Sequence, residues 1–148
     1  MPTTLDHGGI PPAMTGFQFL AVALGGACGA MLRTGITVAA VAIGWTGMVG
    51  TLIANWLGCV GIGALAGYTL AASQNEAAGS PPSDWATMFL RAGLLGSLTT
   101  MSTFVAESVQ LWTDHRGFAL AYFAATLAGG VLAYVLASAA ARQWWLGG

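Results

Sequence analysis

Only four arginines and five acidic residues interrupt this 148-residue chain, and long uncharged runs separate them, at 7–32, 34–75, 92–106 and 117–141. A membrane span needs roughly 20 mostly apolar residues, because the hydrocarbon core is about 30 Å thick and a helix rises about 1.5 Å per residue. The runs and their flanks predict four helices, at about 16–43, 48–72, 85–113 and 117–142. With 56% hydrophobic residues, 6% charged residues and a mean hydropathy of +0.73, the chain lacks the charged skin of a soluble domain. The expected class is an all-α integral membrane protein, a single four-helix membrane domain over 1–148.

Short polar segments divide the runs. GWTG at 44–47 predicts a tight hairpin between the first two helices, and SQNEAAGSPPSD at 73–84 is a linker in which Pro81 and Pro82 stop any helix. TDHR at 113–116 joins the last two helices. Asp6 and the lack of Lys or Arg in the opening residues argue against a secretory signal. Trp45, Trp85, Trp112, Trp144 and Trp145 fall near predicted helix ends, as interfacial anchors do. Trp56 lies inside the second helix and is read as packing. Cys28 and Cys59 sit apart within spans and are read as small packing residues, while His7 and His115 lack neighbouring ligands, so no metal cluster is expected from them.

Orientation is undecided by charge. If both termini share one side, Arg91 and Arg142 lie nearest it and Arg33 and Arg116 lie toward the other, two against two, with no lysine anywhere. The positive-inside rule needs an excess. Either the charges are too few for inference, or the chain inserts both ways and pairs as an antiparallel, dual-topology homodimer. Glycines in the first, second and fourth helices permit close association but say nothing of a substrate.

Polar side chains inside spans need partners or a water-filled cavity. Arg33 is either an interfacial arginine whose stem snorkels or a positive charge at a vestibule. Asn55 offers two donors and one acceptor from within the second helix, either for a helix-to-helix bond or for a pathway. The stretch GLLGSLTTMSTF, 93–104, carries Thr99, Thr100, Ser102 and Thr103 behind Gly93 and Gly96, a poor continuous helix. The 29 residues from Trp85 to Thr113 would extend about 43 Å if fully helical, more than a span requires. An interruption at mid-membrane is expected, with freed carbonyls suited to a hard cation and hydroxyls suited to a small anion. Tyr122 and Thr126 add polar groups one turn apart in the fourth helix.

Three blocks in this order, GGACGAMLR (25–33), GTLIANWLGCVGIG (50–63) and GLLGSLTTMSTF (93–104), resemble the small fluoride-channel family known as Fluc or CrcB-type channels. The resemblance covers nearly all four helices. It implies an antiparallel, dual-topology homodimer in the bacterial inner membrane, with two parallel pores that let fluoride leave the cytoplasm passively. It also implies a structural sodium ion at the dimer centre, held by main-chain carbonyls that map to Gly96 and Thr99. The family's pore asparagine maps to Asn55, and its pair of pore phenylalanines maps to Met101 and Phe104. Met101 departs from the pattern, which has phenylalanine there. Ser102 and Thr103 supply further hydroxyls, and Tyr122 and Thr126 map to a polar track that is shortened at Gly130. Arg33 and Glu107 are vestibule or structural charges.

Two rivals stand beside this reading. A small dual-topology, proton-coupled exporter needs a membrane carboxylate, and Glu107 is the only acid within any span. A non-transporting assembly subunit explains the glycines but not Asn55 or the hydroxyls. No enzyme chemistry and no nucleic-acid partner are expected; the partners are a second copy, the lipid bilayer and fluoride.

Overall fold

The computed structural model describes residues 16–74 and 83–147. Four helices are long and apolar enough to cross a membrane, Gly16–Ala42, Gly47–Gln74, Asp84–Asp114 and Arg116–Gly147, here called the first to fourth spans. No strand occurs among the described residues. The readings of Asp6, His7 and the Pro81–Pro82 linker fall outside them.

The first span closes in a left-handed turn. Gly44 N–H donates to Val41 O at 3.0 Å and Trp45 N–H to Ala40 O at 2.9 Å, which satisfies two of the orphan carbonyls at the helix end. Gly44 has φ +86°, a conformation that costs glycine little because it has no Cβ. The chain reverses there, so the first two spans are antiparallel neighbours. At the other end Phe17 meets Trp85 with ring centroids 6.4 Å apart, and Tyr68 meets Trp145 at 5.0 Å. Gly16, Gln74, Asp84 and Gly147 therefore share one end of the bundle, and Arg142 donates to Gln74 Oε1 there at 3.1 Å.

Up-and-down connection makes the first and third spans parallel, and likewise the second and fourth. The second and fourth spans pack side by side in one register. Trp56 lies across Gly129, the Tyr134 backbone fills the space a Cβ on Gly63 would need, and Ser138 O does the same at Gly67. Trp56 Nε1 also donates to Ala125 O at 3.1 Å, which gives this exposed, mid-helix tryptophan a packing role between the two spans. The fourth span continues past Arg142 through both tryptophans to Gly147, since nothing in QWWL breaks a helix and Trp145 packs on Tyr68.

The third span is not uniform. It runs as α-helix over Asp84–Thr87, widens to a π-helix over Met88–Leu95, and returns to α-helix over Gly96–Leu98. The wide stretch lies where the first span presses closest: a Cβ on Gly93 would meet Gly25 Cα and Val22 O at 2.9 Å. Ser97 Oγ donates to Gly26 O at 2.8 Å across the same contact. Thr99 (φ −78°, ψ 152°) and Thr100 (φ −145°, ψ 114°) are extended, and a helix resumes over Met101–Asp114. Only His115 separates that helix from the fourth span, and the Arg116 guanidinium sits over Trp112 at 5.6 Å. A small core of Ala54, Leu95 and Leu98 lies between the second and third spans, beside the extended residues.

Candidate functional site

Two residues without helical backbone leave main-chain groups that must find other partners. Thr100 caps the resumed helix: its Oγ1 accepts from Thr103 N–H at 3.3 Å and donates to Thr103 Oγ1 at 3.0 Å. Thr99 Oγ1 lies 3.3 Å from both Leu95 O and Gly96 O. Its methyl group occupies the notch left by Gly58. The Thr100 backbone itself is held by Asn55, whose Oδ1 accepts from Thr100 N–H at 2.8 Å and whose Nδ2 donates to Thr100 O at 3.4 Å. Both residues are buried. The carbonyls of Gly96 and Thr99 thus lose the amides that a continuous helix would send them. Main-chain carbonyls are hard oxygen donors that suit a hard cation such as sodium.

A cleft of about 470 Å³ opens beside this point, lined by Asn55, Thr99, Thr100, Met101, Phe104, Thr126 and Tyr134 along with smaller and aliphatic residues. Phe104 is 1% exposed and held between Tyr122 and Phe123, with centroids 5.6 and 5.4 Å away. Met101, one turn earlier, is 65% exposed, so it borders the cleft from the outer surface. Thr126 Oγ1 donates to Tyr122 O at 2.9 Å, which commits its only proton. Ser102 and Thr103 are exposed on the first turn of the resumed helix and do not line this cleft.

A second polar group ties three spans together. Glu107 Oε2 accepts from Tyr122 OH at 2.6 Å and Oε1 accepts from Thr51 Oγ1 at 3.0 Å. The structure thus joins Tyr122 to Glu107, while Asn55, Met101, Phe104 and Thr126 share the cleft. Arg33 is half-buried in the first span, and its guanidinium has no hydrogen-bond or ion-pair partner among the described residues.

Sequence reasoning missed Thr51 and the capping role of Thr100. Thr51 precedes Asn55 by one helical turn and so shares its face, a signal that periodicity alone carries. Thr100 stands three residues before Thr103, the spacing of an N-cap and the amide it accepts from.

The sequence matches the CrcB-like protein (Camphor Resistance, CrcB) family over residues 20–138, a stretch that includes every residue of both polar groups. The chain belongs to this family. It is 39% identical over 133 residues to the fluoride-specific ion channel FluC of Chloroflexus aurantiacus, covering 88% of this chain and 98% of that protein. Fluoride-specific ion channel FluC 1 of Thermobifida fusca is 42% identical, over 86% of this chain and 97% of its own length. FluC 2 of Halalkalibacterium halodurans is 35% identical over 85% and 90% respectively. These CrcB-family relatives are ion channels, not enzymes. Four spans and family membership make the chain a multi-pass protein of the bacterial inner membrane.

Proposed function

We propose that the chain is a passive, fluoride-selective channel through which the anion leaves the cytoplasm. The observation that carries this reading is the alignment, over almost their whole length, with relatives that are fluoride-specific channels. The local chemistry agrees with it. Fluoride is small and strongly hydrated, so a pathway must replace water with closely spaced donors and stay narrow. The second Nδ2 proton of Asn55, the hydroxyls of Ser102 and Thr103 and the positive ring edge of Phe104 supply such donors without a fixed charge that would trap the ion. Tyr122 and Thr126 continue the polar surface along the fourth span. Arg33, without a partner among the described residues, draws the anion toward one mouth.

The working unit is an antiparallel homodimer with two pores and a central sodium ion, the interruption at Thr99–Thr100 lying at mid-membrane. Several features support this assembly. Arg91 and Arg142 lie toward one end of the bundle and Arg33 and Arg116 toward the other, so charge favours neither orientation. Met101, Ser102 and Thr103 are exposed in a single copy and become pore-lining only when a second copy covers them. One copy offers two freed carbonyls, of Gly96 and Thr99, and a two-fold axis doubles that number. A sodium ion bound there supplies the positive charge that lets facing carbonyls from the two copies approach.

Glu107 favours a second reading, a proton-coupled exporter, since it places a carboxylate among three spans. Purified protein in liposomes loaded with potassium fluoride separates the readings. Rapid electrogenic fluoride efflux, independent of a proton gradient and without chloride efflux, is expected. Efflux driven by a proton gradient identifies the exporter, and no flux from a folded dimer identifies a non-transporting subunit. A single cysteine beside His115 is expected to label from both faces of the membrane in equal amounts; labelling from one face contradicts dual topology.

A further inference from the structure

A continuous helix directs each N–H at the carbonyl four residues earlier, which would pair Thr100 with Gly96 and Thr103 with Thr99. Neither pairing forms, because Thr100 N–H goes to Asn55 Oδ1 at 2.8 Å and Thr103 N–H to Thr100 Oγ1 at 3.3 Å. The two interceptors differ in origin. Thr100 Oγ1 is a local cap, supplied by the interrupted segment itself. Asn55 reaches in from another span, 45 residues away in sequence, and grips Thr100 at both its N–H and its carbonyl.

We propose that Asn55 is a positioning residue for the main-chain cation site: by holding the Thr100 amide it keeps the Gly96 carbonyl free to ligate. The inference rests on the sodium reading given above, and it gives Asn55 a task separate from contact with the anion. Without an acceptor at position 55 the Thr100 N–H is buried and unpaired, a costly state. Its nearest remedy is the Gly96 carbonyl, the partner a helix would give it, and taking that partner removes a ligand. Thr99 Oγ1 already approaches the same carbonyl, but only at 3.3 Å, a long contact for a hydroxyl. Asn55 is held in place by the packing around it: Ala54 is fully buried beside it, and Gly58, one turn on, receives the Thr99 methyl.

Asparagine contributes an acceptor to Thr100 N–H and a donor to Thr100 O, and the acceptor bond is the shorter. Aspartate keeps that acceptor, loses the donor and adds a negative charge. It therefore separates the two tasks: cation positioning survives, and passage of an anion does not.

The test is the sodium dependence of the dimer's thermal stability in detergent, at constant ionic strength with N-methyl-D-glucamine as the replacing cation. Fluoride efflux from liposomes is measured in parallel. Asn55→Ala is expected to raise the sodium concentration for half-maximal stabilisation about tenfold, the scale of one buried hydrogen bond. Asn55→Asp is expected to keep that midpoint within about threefold of wild type while efflux is lost, since a factor of three is below the worth of such a bond. Phe104→Ile, which alters the cleft but not the hold on Thr100, leaves the midpoint where it is. An unchanged midpoint in Asn55→Ala overturns the proposal and leaves Asn55 as a pore residue only. If Asn55→Ala fails to assemble, Asn55→Asp decides: a midpoint near wild type, or lowered by the added negative charge, supports the positioning role, and a rise of more than about threefold overturns it. A wild-type dimer whose stability ignores sodium overturns the sodium reading and this inference with it, whereas wild-type efflux reports on the channel reading alone.

Discussion

The second and fourth spans meet along a seam of small residues in constant register, whereas the third span changes helical type twice and leaves the helix for two residues. In the seam both spans are continuous α-helices, so the contact depends mainly on shape, with the bonds of Trp56 to Ala125 O and of Arg142 to Gln74 added to it. Gly63, Gly67 and Gly129 let the partner helix, or Trp56, come close. In the third span the main chain is not self-sufficient, and the second span must accommodate it: the Asn55 side chain holds the Thr100 amide, and Gly58, which has no side chain, leaves a recess for the Thr99 methyl. Lipid offers no hydrogen bonds, so an irregular stretch survives only with such support. The comparison assigns the two kinds of embedded residue different tasks: glycine rows set how spans pack, and interior polar residues mark where backbone has been released for other use.

The largest expected effect comes from breaking the seam. A Cβ on Gly67 would collide with Ser138 O and come within 2.9 Å of Ala141 Cβ, and backbone cannot move aside as a flexible side chain does. Gly67→Val is expected to cost about 3 kcal/mol or more, the upper range for overpacking, and to leave little monodisperse protein on size-exclusion chromatography. Gly35→Ala is the control, since nothing lies within 4 Å of a Cβ there. If both variants are equally well behaved, the seam is looser than its geometry indicates.

The same contrast governs what could be read from sequence. Uncharged runs located the four spans because hydrocarbon excludes charge regardless of how helices pack. The extended residues fall within the hydroxyl-rich stretch behind Gly93 and Gly96, where local propensity already argued against a helix. The π-helix over Met88–Leu95 had no such mark. It lies where Gly93 meets Gly25, a contact between residues far apart in the chain. Thr51 was missed for a related reason: it reaches Glu107 across 56 residues, and no spacing rule pairs them. The role of Asn55 was legible as a buried amide needing partners, but which groups it holds was set by the third span's course.

A smaller effect is expected at Trp56, which belongs to the seam although it is one residue from Asn55. Trp56→Phe keeps an aromatic face against Gly129 and loses the Nε1 bond to Ala125 O. That carbonyl sits within a helix, so the loss is expected to be about 1 kcal/mol, seen as a modest fall in melting temperature. Fluoride efflux is expected to be unchanged. A large loss of efflux with an unaltered melt would move Trp56 from the seam to the pathway.

The smallest effect is expected at Met101, where the cleft reaches the outer surface of a single copy. Methionine lacks the electropositive ring edge that Phe104 presents, yet its flexible thioether chain fills much of the volume of a phenyl group. At 65% exposure it meets little of its own subunit, so a larger ring there displaces nothing buried within that subunit. Met101→Phe is therefore expected to fold and dimerise as wild type does, and to pass fluoride at a similar or slightly higher rate in the same liposome assay. Its rate also tests whether the chain acts alone. If the wild-type dimer passes no fluoride and Met101→Phe restores flux, the ring edge is indispensable, and the natural assembly draws it from a second, related chain. If both conduct, the donors at Asn55, Ser102, Thr103 and Phe104 suffice, and the interrupted span tolerates change on its outer surface while it depends on the hold from within.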